Sequence, residues 1–357
     1  MNLKAPPLLE PLRYESCPSC NAAVLLVLKL DNAAENGVLR PMKNCILALL
    51  AGCLFLSSSL RAADSAVKLT KDDKKIDVEL NGKPFTSYYY NDGLGAIFVR
   101  PFFYPVLAPD GTPVTDDQIQ TKGDHPHHRS MWIAHGNVDG ADHWAVNKGE
   151  KQPKQKHISF TKVEGDTIEE QLEWEGTTPE SIMKETRTFK FFAFADGSRG
   201  VDFTSVFTPL KDKVVFGDTK ESGLCAVRVV KAIANTATLT QSTGATDSRP
   251  SKTEPNTWGK KADWCDISGK IEDKPYGITI FDHPQNPRHP GNWHCRLYGL
   301  MSSNIFGLSE FTKGAPKGDF EILKDKPVTF RYRVVIHAGD AKSADLDAKY
   351  KEYSSGK

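Results

Sequence analysis

The chain carries no excess of either charge. Its 46 Lys and Arg stand against 45 Asp and Glu, a formal net charge of +1. That removes the electrostatic reason to expect nucleic acid or an anionic membrane as partner. After residue 56 there is no apolar run long enough to span a bilayer. Cysteine is sparse, at 7 of 357 residues. A disulfide-dense scaffold is therefore excluded. Cys17 and Cys20 form a lone C-x-x-C without a second pair, and Cys225, Cys265 and Cys295 could supply one disulfide with one thiol left over. Helical periodicity is also scarce. Only 343–353 reads as a helix, with Ser343 as a candidate N-cap. No internal repeat and no break in composition divides the chain, and nothing in it sets an oligomeric state.

What remains is strand pattern. Hydrophobic residues make up 39% and charged residues 25%, an ordinary globular balance with ample material for a core. Ile76 to Leu80 alternates, Asn81-Gly82 signals a type I′ turn, and 83–90 returns. Runs at 96–107, 157–164, 167–174, 186–195, 200–207, 223–230, 236–241, 276–281, 293–300 and 328–337 follow, separated by Gly, Asp, Asn and Pro. The expectation is an all-β chain, a large antiparallel β-sandwich with a short C-terminal helix. One domain would run over 64–357.

The first residues read as processing signals. Met42-Lys43-Asn44 opens a basic start, Ile46 to Leu56 is an apolar core, and Ala62-Ala63 suits cleavage. Residues 42–63 are thus expected to be a signal peptide, and 1–41 an over-extended start. The mature protein would be periplasmic or secreted. A lipoprotein box at 50–53 fits less well, because Leu54-Phe55-Leu56 continue the apolar run.

Function is expected in a histidine cluster. Five of the ten histidines fall between His125 and His143. Imidazole titrates near neutral pH and is the commonest metal ligand. His125-Pro126-His127 places two rings at i and i+2, one face of an extended segment. A cupin-like metal site would need a glutamate about four residues later, where Met131 stands. The metal alternative uses His125, His127 and His135 with one transition-metal ion.

Acid–base chemistry without a cofactor is the favoured reading. It assigns proton transfer to His128 and His135, opposed by Glu221 or Glu310 on other segments. Arg129, Arg228, Asp266, His283 and His294 would orient hydroxyl groups. Trp144 and Trp264 fall beside polar clusters, as Trp132, Trp258 and Trp293 do, and an exposed indole stacks on a sugar ring. Segments 124–135, 217–228, 263–266 and 293–294 are expected to meet in one cleft. A small-molecule or oligosaccharide ligand is the implied partner. A noncatalytic sugar-binding module is the third reading.

Several segments resemble an exported bacterial family, DUF6807, often labelled "methane oxygenase PmoA". They are 100–105, 124–140, 217–223, 262–266, 282–290 and 293–294, and together they span the mature region. The membrane subunit of that name crosses the bilayer many times, whereas this chain has no such segments. The family is similar to galactose-mutarotase-like β supersandwiches, a fold used for sugar epimerases, lyases and glycosidase-associated domains. By that analogy, the resemblance implies a carbohydrate ligand.

Overall fold

The computed structural model describes residues 66–146, 151–250, 256–314 and 316–356. They fall in one compact unit, Leu60–Lys357. The proposed start at Met42 and the signal segment lie outside the described residues.

Nineteen strands and three short helices follow in chain order among the described residues. The first ten strands are β1 (Val67–Lys71), β2 (Lys75–Leu80), β3 (Lys83–Tyr89), β4 (Phe102–Phe103), β5 (Met131–His135), β6 (Gln155–Glu164), β7 (Thr167–Glu175), β8 (Ser181–Ala193), β9 (Arg199–Pro209) and β10 (Lys213–Phe216). Then come β11 (Ser222–Arg228), α1 (Lys231–Asn235), β12 (Thr238–Gln241), β13 (Thr246–Ser248), β14 (Trp264–Ile271) and β15 (Lys274–Asp282). The chain ends with β16 (Trp293–Arg296), β17 (Leu300–Ser303), α2 (Leu308–Phe311), β18 (Phe320–Leu323), β19 (Val328–Ala338) and α3 (Leu346–Ser354).

Two large antiparallel sheets result. The first has the order β1-β2-β3-β4-β5-β11-β17-β16, the second β13-β12-β14-β15-β19-β9-β8-β7-β6. A small ribbon pairs β10 with β18. This is the expected large antiparallel β-sandwich. Its inner faces meet through aromatic rings. Tyr88 and Phe103 of the first sheet lie 4.9 and 4.7 Å from Phe189 of the second, and Phe103 lies 5.9 Å from Phe203. These are favourable edge-on separations.

Strand periodicity assigns each residue to a face. On β5, Met131 and Ile133 join the inter-sheet core, while Trp132 and Ala134 join a separate cluster on the outer face. Neighbouring strands keep the same parity. Phe103, Val227 and Met301 face inward, and Phe102, Ala226 and Leu300 face outward. On the second sheet Cys265, Ile267, Val334 and Ile336 face inward. Trp264 and Val335 face outward, beneath Leu346 and Tyr353 of α3.

Local expectations fared unevenly. Asn81 and Gly82 take φ of 53° and 73°, as a type I′ turn requires. The run 96–107 yields only the two-residue β4, because Pro101 and Pro105 bracket it and cannot donate to a ladder. The run 293–300 is instead two strands joined at Gly299, whose φ is 111°. No strand was expected at 264–271, where β14 lies, because its first five residues are all buried and so show no alternation. The helix begins at Leu346 after Asp345, and Ser343 bonds Asp340 instead of capping it. The three described cysteines are free and buried.

Charge is also buried between the sheets. Arg187 on β8 donates to both carboxylate oxygens of Glu185 at 2.8 and 2.7 Å, and to Gln155 at 3.0 Å. Trp174 Nε1 donates to the same Glu185 at 2.8 Å. Removing one partner of such a pair strands the other in a low dielectric. Arg187→Met is expected to lower stability by about 3–5 kcal/mol, read from urea denaturation followed by tryptophan fluorescence. A loss within about 0.5 kcal/mol, typical of surface substitutions, would contradict this account of the network.

Candidate functional site: a histidine-lined cleft

The histidine segment is a tight turn. His128 N donates to the His125 carbonyl at 2.8 Å, so Pro126 takes the position where its fixed φ suits a turn. The expected extended His-x-His geometry is therefore replaced by three clustered rings. His125 stacks on His128 at 4.8 Å between centroids, and His127 meets His128 at 4.5 Å. The turn is held from below. Arg100, itself buried, donates to the His127 carbonyl at 2.6 Å. Gln118 N donates to the His128 carbonyl at 3.0 Å, and Ser130 N to Asp116 at 3.0 Å.

This turn forms one wall of a cleft of about 810 Å³. His125, His127, His128 and Trp144 line that wall, with Gly136, Asp142 and Ala145 beside them. The opposite wall is Thr219, Lys220 and Glu221, and β16 with its turn adds His294, Arg296 and Tyr298. Parity explains the last group. Trp293 and Cys295 belong to the inner core, so His294 and Arg296 point to the outer face. Gly136 lets the two walls approach, since a Cβ there would lie 2.9 Å from the Glu221 carbonyl.

The cleft's histidines are held in defined states. Arg228 Nη1 donates to His128 Nδ1 at 3.0 Å. A guanidinium has no acceptor, so His128 Nδ1 must be bare and the neutral ring carries its proton on Nε2. His294 is the reverse. Its Nδ1 donates to the Lys220 carbonyl at 2.7 Å, which leaves Nε2 as a lone-pair acceptor. Burial pushes His127 down to about 4 and His294 to about 3, while burial and its neighbours His127 and Arg228 hold His128 far below the ordinary imidazole range. All three are neutral at pH 7. Glu221 moves the other way, its carboxyl raised by burial against the opposing pull of Lys220.

Several expected site residues lie elsewhere. His135 shares the inward parity of Met131 and Ile133, so it faces the core and not the cleft. Both its nitrogens are engaged, Nδ1 with Ser222 at 2.8 Å and Nε2 with the Gly217 carbonyl at 3.0 Å, between Phe216 and Phe306. It is thus removed from both the proton-transfer pair and the metal triad. Trp264 and Asp266 lie on the outer face of the second sheet, the far side of the sandwich. Trp264 bonds Asp347 of α3, and Asp266 pairs with His337 at 3.0 Å. His283 packs edge-on against Tyr353 beside the same helix.

Arg129 is buried in a two-pronged pair with Asp117, at 2.6 and 3.0 Å. Arg228 stands behind the cleft wall, and Glu310 reaches its rim only through Lys220, at 3.0 Å. Lys220, Asp142, Arg296 and Tyr298 were missed. Lys220 adjoins Glu221, and Arg296 lies two residues from His294, so strand parity could have found the second. Among the described residues no group of three or more His, Cys, Asp or Glu converges to hold a metal ion. His125 and His127 remain the two imidazoles of the metal alternative that line the cleft.

A large antiparallel sandwich with a polar cleft on the outer face of one sheet is the class that fold and site define. The chain belongs to the family described as "Family of unknown function (DUF6807)", whose model matches residues 75–351. No curated protein matches it in sequence. Among solved structures it is similar to a GalM/aldose epimerase homologue from C. elegans, at 7% identity over 77% of this chain and 99% of that one, with a TM-score of 0.32. It is also similar to a galactose mutarotase related enzyme from Lactobacillus acidophilus, at 8% identity over 76% and 97%, TM-score 0.30. A polysaccharide lyase matches at 13% identity over 79% of this chain and 34% of its own length, TM-score 0.29.

The buried imidazoles make the fold acid-sensitive. His127 is driven to about 4, and His135, His143 and His294 each to about 3. The unfolded chain, with imidazole near 6.5, binds more protons than the folded one below that value. Stability from these groups is therefore full above pH 6.5 and lost as pH falls through 4 towards 3. The urea midpoint should drop over that window, and His127→Gln should flatten its upper part. A profile level from pH 6.5 to 4 would contradict the assignment.

Proposed function

We propose that the cleft binds a carbohydrate and performs acid–base chemistry on it. The observation that carries this reading is the meeting of His294 Nε2, a lone-pair acceptor, with Glu221, a carboxyl raised by burial, in one cleft walled by Trp144 and Tyr298. A sugar offers apolar C–H faces and many hydroxyl groups. The half-buried Tyr298 ring suits the first, with the buried Trp144 packed behind the histidine turn, and fixed imidazole donors and acceptors suit the second. In this scheme Glu221, whose proton affinity is raised, exchanges a proton with the sugar, and His294 Nε2 accepts a hydrogen bond that holds the reacting hydroxyl in place. His128 does not titrate near neutrality. It donates a hydrogen bond from Nε2 and orients the sugar. Reactions of the epimerase, lyase or hydrolase type all draw on such a pair.

A second reading is a noncatalytic sugar-binding module. It is favoured by the same low proton affinity of His127, His128 and His294, which makes them constant hydrogen-bonding groups. Turnover of a sugar panel separates the two. For an enzyme, Glu221→Gln and His294→Gln should each lower kcat about 10²–10⁴-fold while leaving far-UV circular dichroism unchanged. Binding that persists in both variants with no turnover in the wild type selects the module.

We also propose export to the periplasm or beyond, from the basic start, apolar run and alanine pair at residues 42–63. N-terminal sequencing of native material should begin near Asp64. A mature form that retains Met1, or one that starts at a lipidated Cys53, would overturn it.

A further inference from the structure

We infer that the sugar taken by this cleft carries a carboxylate, as a uronic acid does, and that one carboxylate oxygen accepts the Nε2–H of His128. The inference rests on the carbohydrate reading above and adds the charge of the ligand.

The first observation is an imbalance of buried charge. Arg100 and Arg228 are 1% and 8% exposed. Arg100 donates to two carbonyls, those of His143 and His127, at 2.8 and 2.6 Å. Arg228 donates to neutral His128 and lies over the Tyr298 ring at 4.9 Å. Neither forms an ion pair with a carboxylate among the described residues, and the Nε of each is buried without a partner. Arg129 and Arg187, buried as deeply, each grip a carboxylate. Arg199 also lacks one, but it donates to the backbone carbonyls of Pro84, Leu107 and Pro109 and is no part of the cleft. A guanidinium out of water without a directly paired carboxylate is unfavourable, and its field falls off slowly in a low dielectric. Two such charges flank one four-residue turn, which forms the cleft wall.

The second observation is the polarity of His128. Arg228 makes it a donor only, because its one acceptor nitrogen is occupied. A sugar hydroxyl can accept such a bond, but an anionic oxygen accepts it more strongly. Lys220 and Arg296 line the same cleft and add positive charge. The acids that face it are already engaged. Asp142 Oδ1 accepts from the backbone N–H of Trp144 and Ala145, Asp124 pairs with His125 at 2.6 Å, and Glu221 lies 3.9 Å from Lys220. Asp142 and Asp117 act on Arg100, and Asp116 and Asp124 on Arg228, through the field alone, and none of them forms an ion pair with either guanidinium. One direct donor with guanidinium charge behind it suits a monoanion. A phosphate dianion would call for several direct N–H groups.

The test is calorimetric titration of the full chain at pH 7. The ligands are glucuronate and galacturonate oligosaccharides, their neutral glucose and galactose counterparts, and a sulfated glucose. The uronates should bind about tenfold or more tighter than the neutral sugars, the effect of one charge-assisted hydrogen bond. The preference should shrink with added salt. Arg228→Gln should reduce it several-fold more than it weakens neutral binding. Independently of any ligand, the ¹⁵N spectrum should show His128 with its proton on Nε2, which keeps the inference testable if the variant misfolds. Neutral sugars binding as tightly as uronates would overturn the carboxylate and leave the carbohydrate reading intact. Sulfate outranking carboxylate would also overturn it. Failure of every sugar to bind would overturn the carbohydrate reading, and this inference with it.

Discussion

Side-chain alternation across the first sheet is the constraint on which the rest depends. One residue in two must enter the aromatic core between the sheets, and the next must leave it. Met131, Ile133 and His135 go inward with Cys225, Val227, Trp293, Cys295 and Met301. Trp132, Ala134, Ala226, His294 and Leu300 go outward. The outer face is thus built by the same residues that fix the core. A slip of one position in β5 or β16 would send the site into the sandwich and the core into water.

On that face the chemistry is set by what stands behind each ring. His128 and His294 are the same residue type in the same cleft, yet they offer opposite hydrogen-bonding faces. A guanidinium behind one and a carbonyl behind the other make the difference. Burial then keeps both neutral over the physiological range. The cleft therefore presents a fixed donor and acceptor pattern, with Glu221 as a group whose proton affinity is raised. This division of labour is a property of second partners, Arg228 and the Lys220 carbonyl, which touch the rings and not the cleft's centre.

The same facts explain how far the sequence could be read. Strand alternation at 76–80, 167–174 and 200–207 is visible because those strands bury one face, and the β-sandwich followed from them. The importance of 125–128 was visible from histidine density. Three of the four histidines in the cleft come from that turn, and Glu221 and Trp144 were also named. Asp266 and Trp264 were misplaced for a definite reason. Sequence shows that polar and aromatic residues interrupt a strand, but a sandwich has two outer faces, and only the pairing order tells which one a strand serves. β14 belongs to the sheet capped by α3. His135 misled for the complementary reason, since histidine chemistry was weighed without counting parity from Met131.

The two outer faces carry comparable polar groups to different ends. Under α3, Asp266 and His337 form a buried pair in which the imidazole is raised above its ordinary value despite burial, because the carboxylate beside it favours the charged form. Over the first sheet, the imidazoles are lowered, Arg129 is paired with Asp117, and Arg100 and Arg228 bond carbonyls and an imidazole in place of a carboxylate. The helix face has its charges matched within the protein and is covered. The cleft face keeps neutral donors and acceptors in front of two guanidiniums that no carboxylate pairs directly, and stays open. A packed structure needs only the first arrangement. The second is costly unless something from solution completes it, which is the physical reason for proposing the cleft, and not the equally histidine-bearing helix face, as the ligand site.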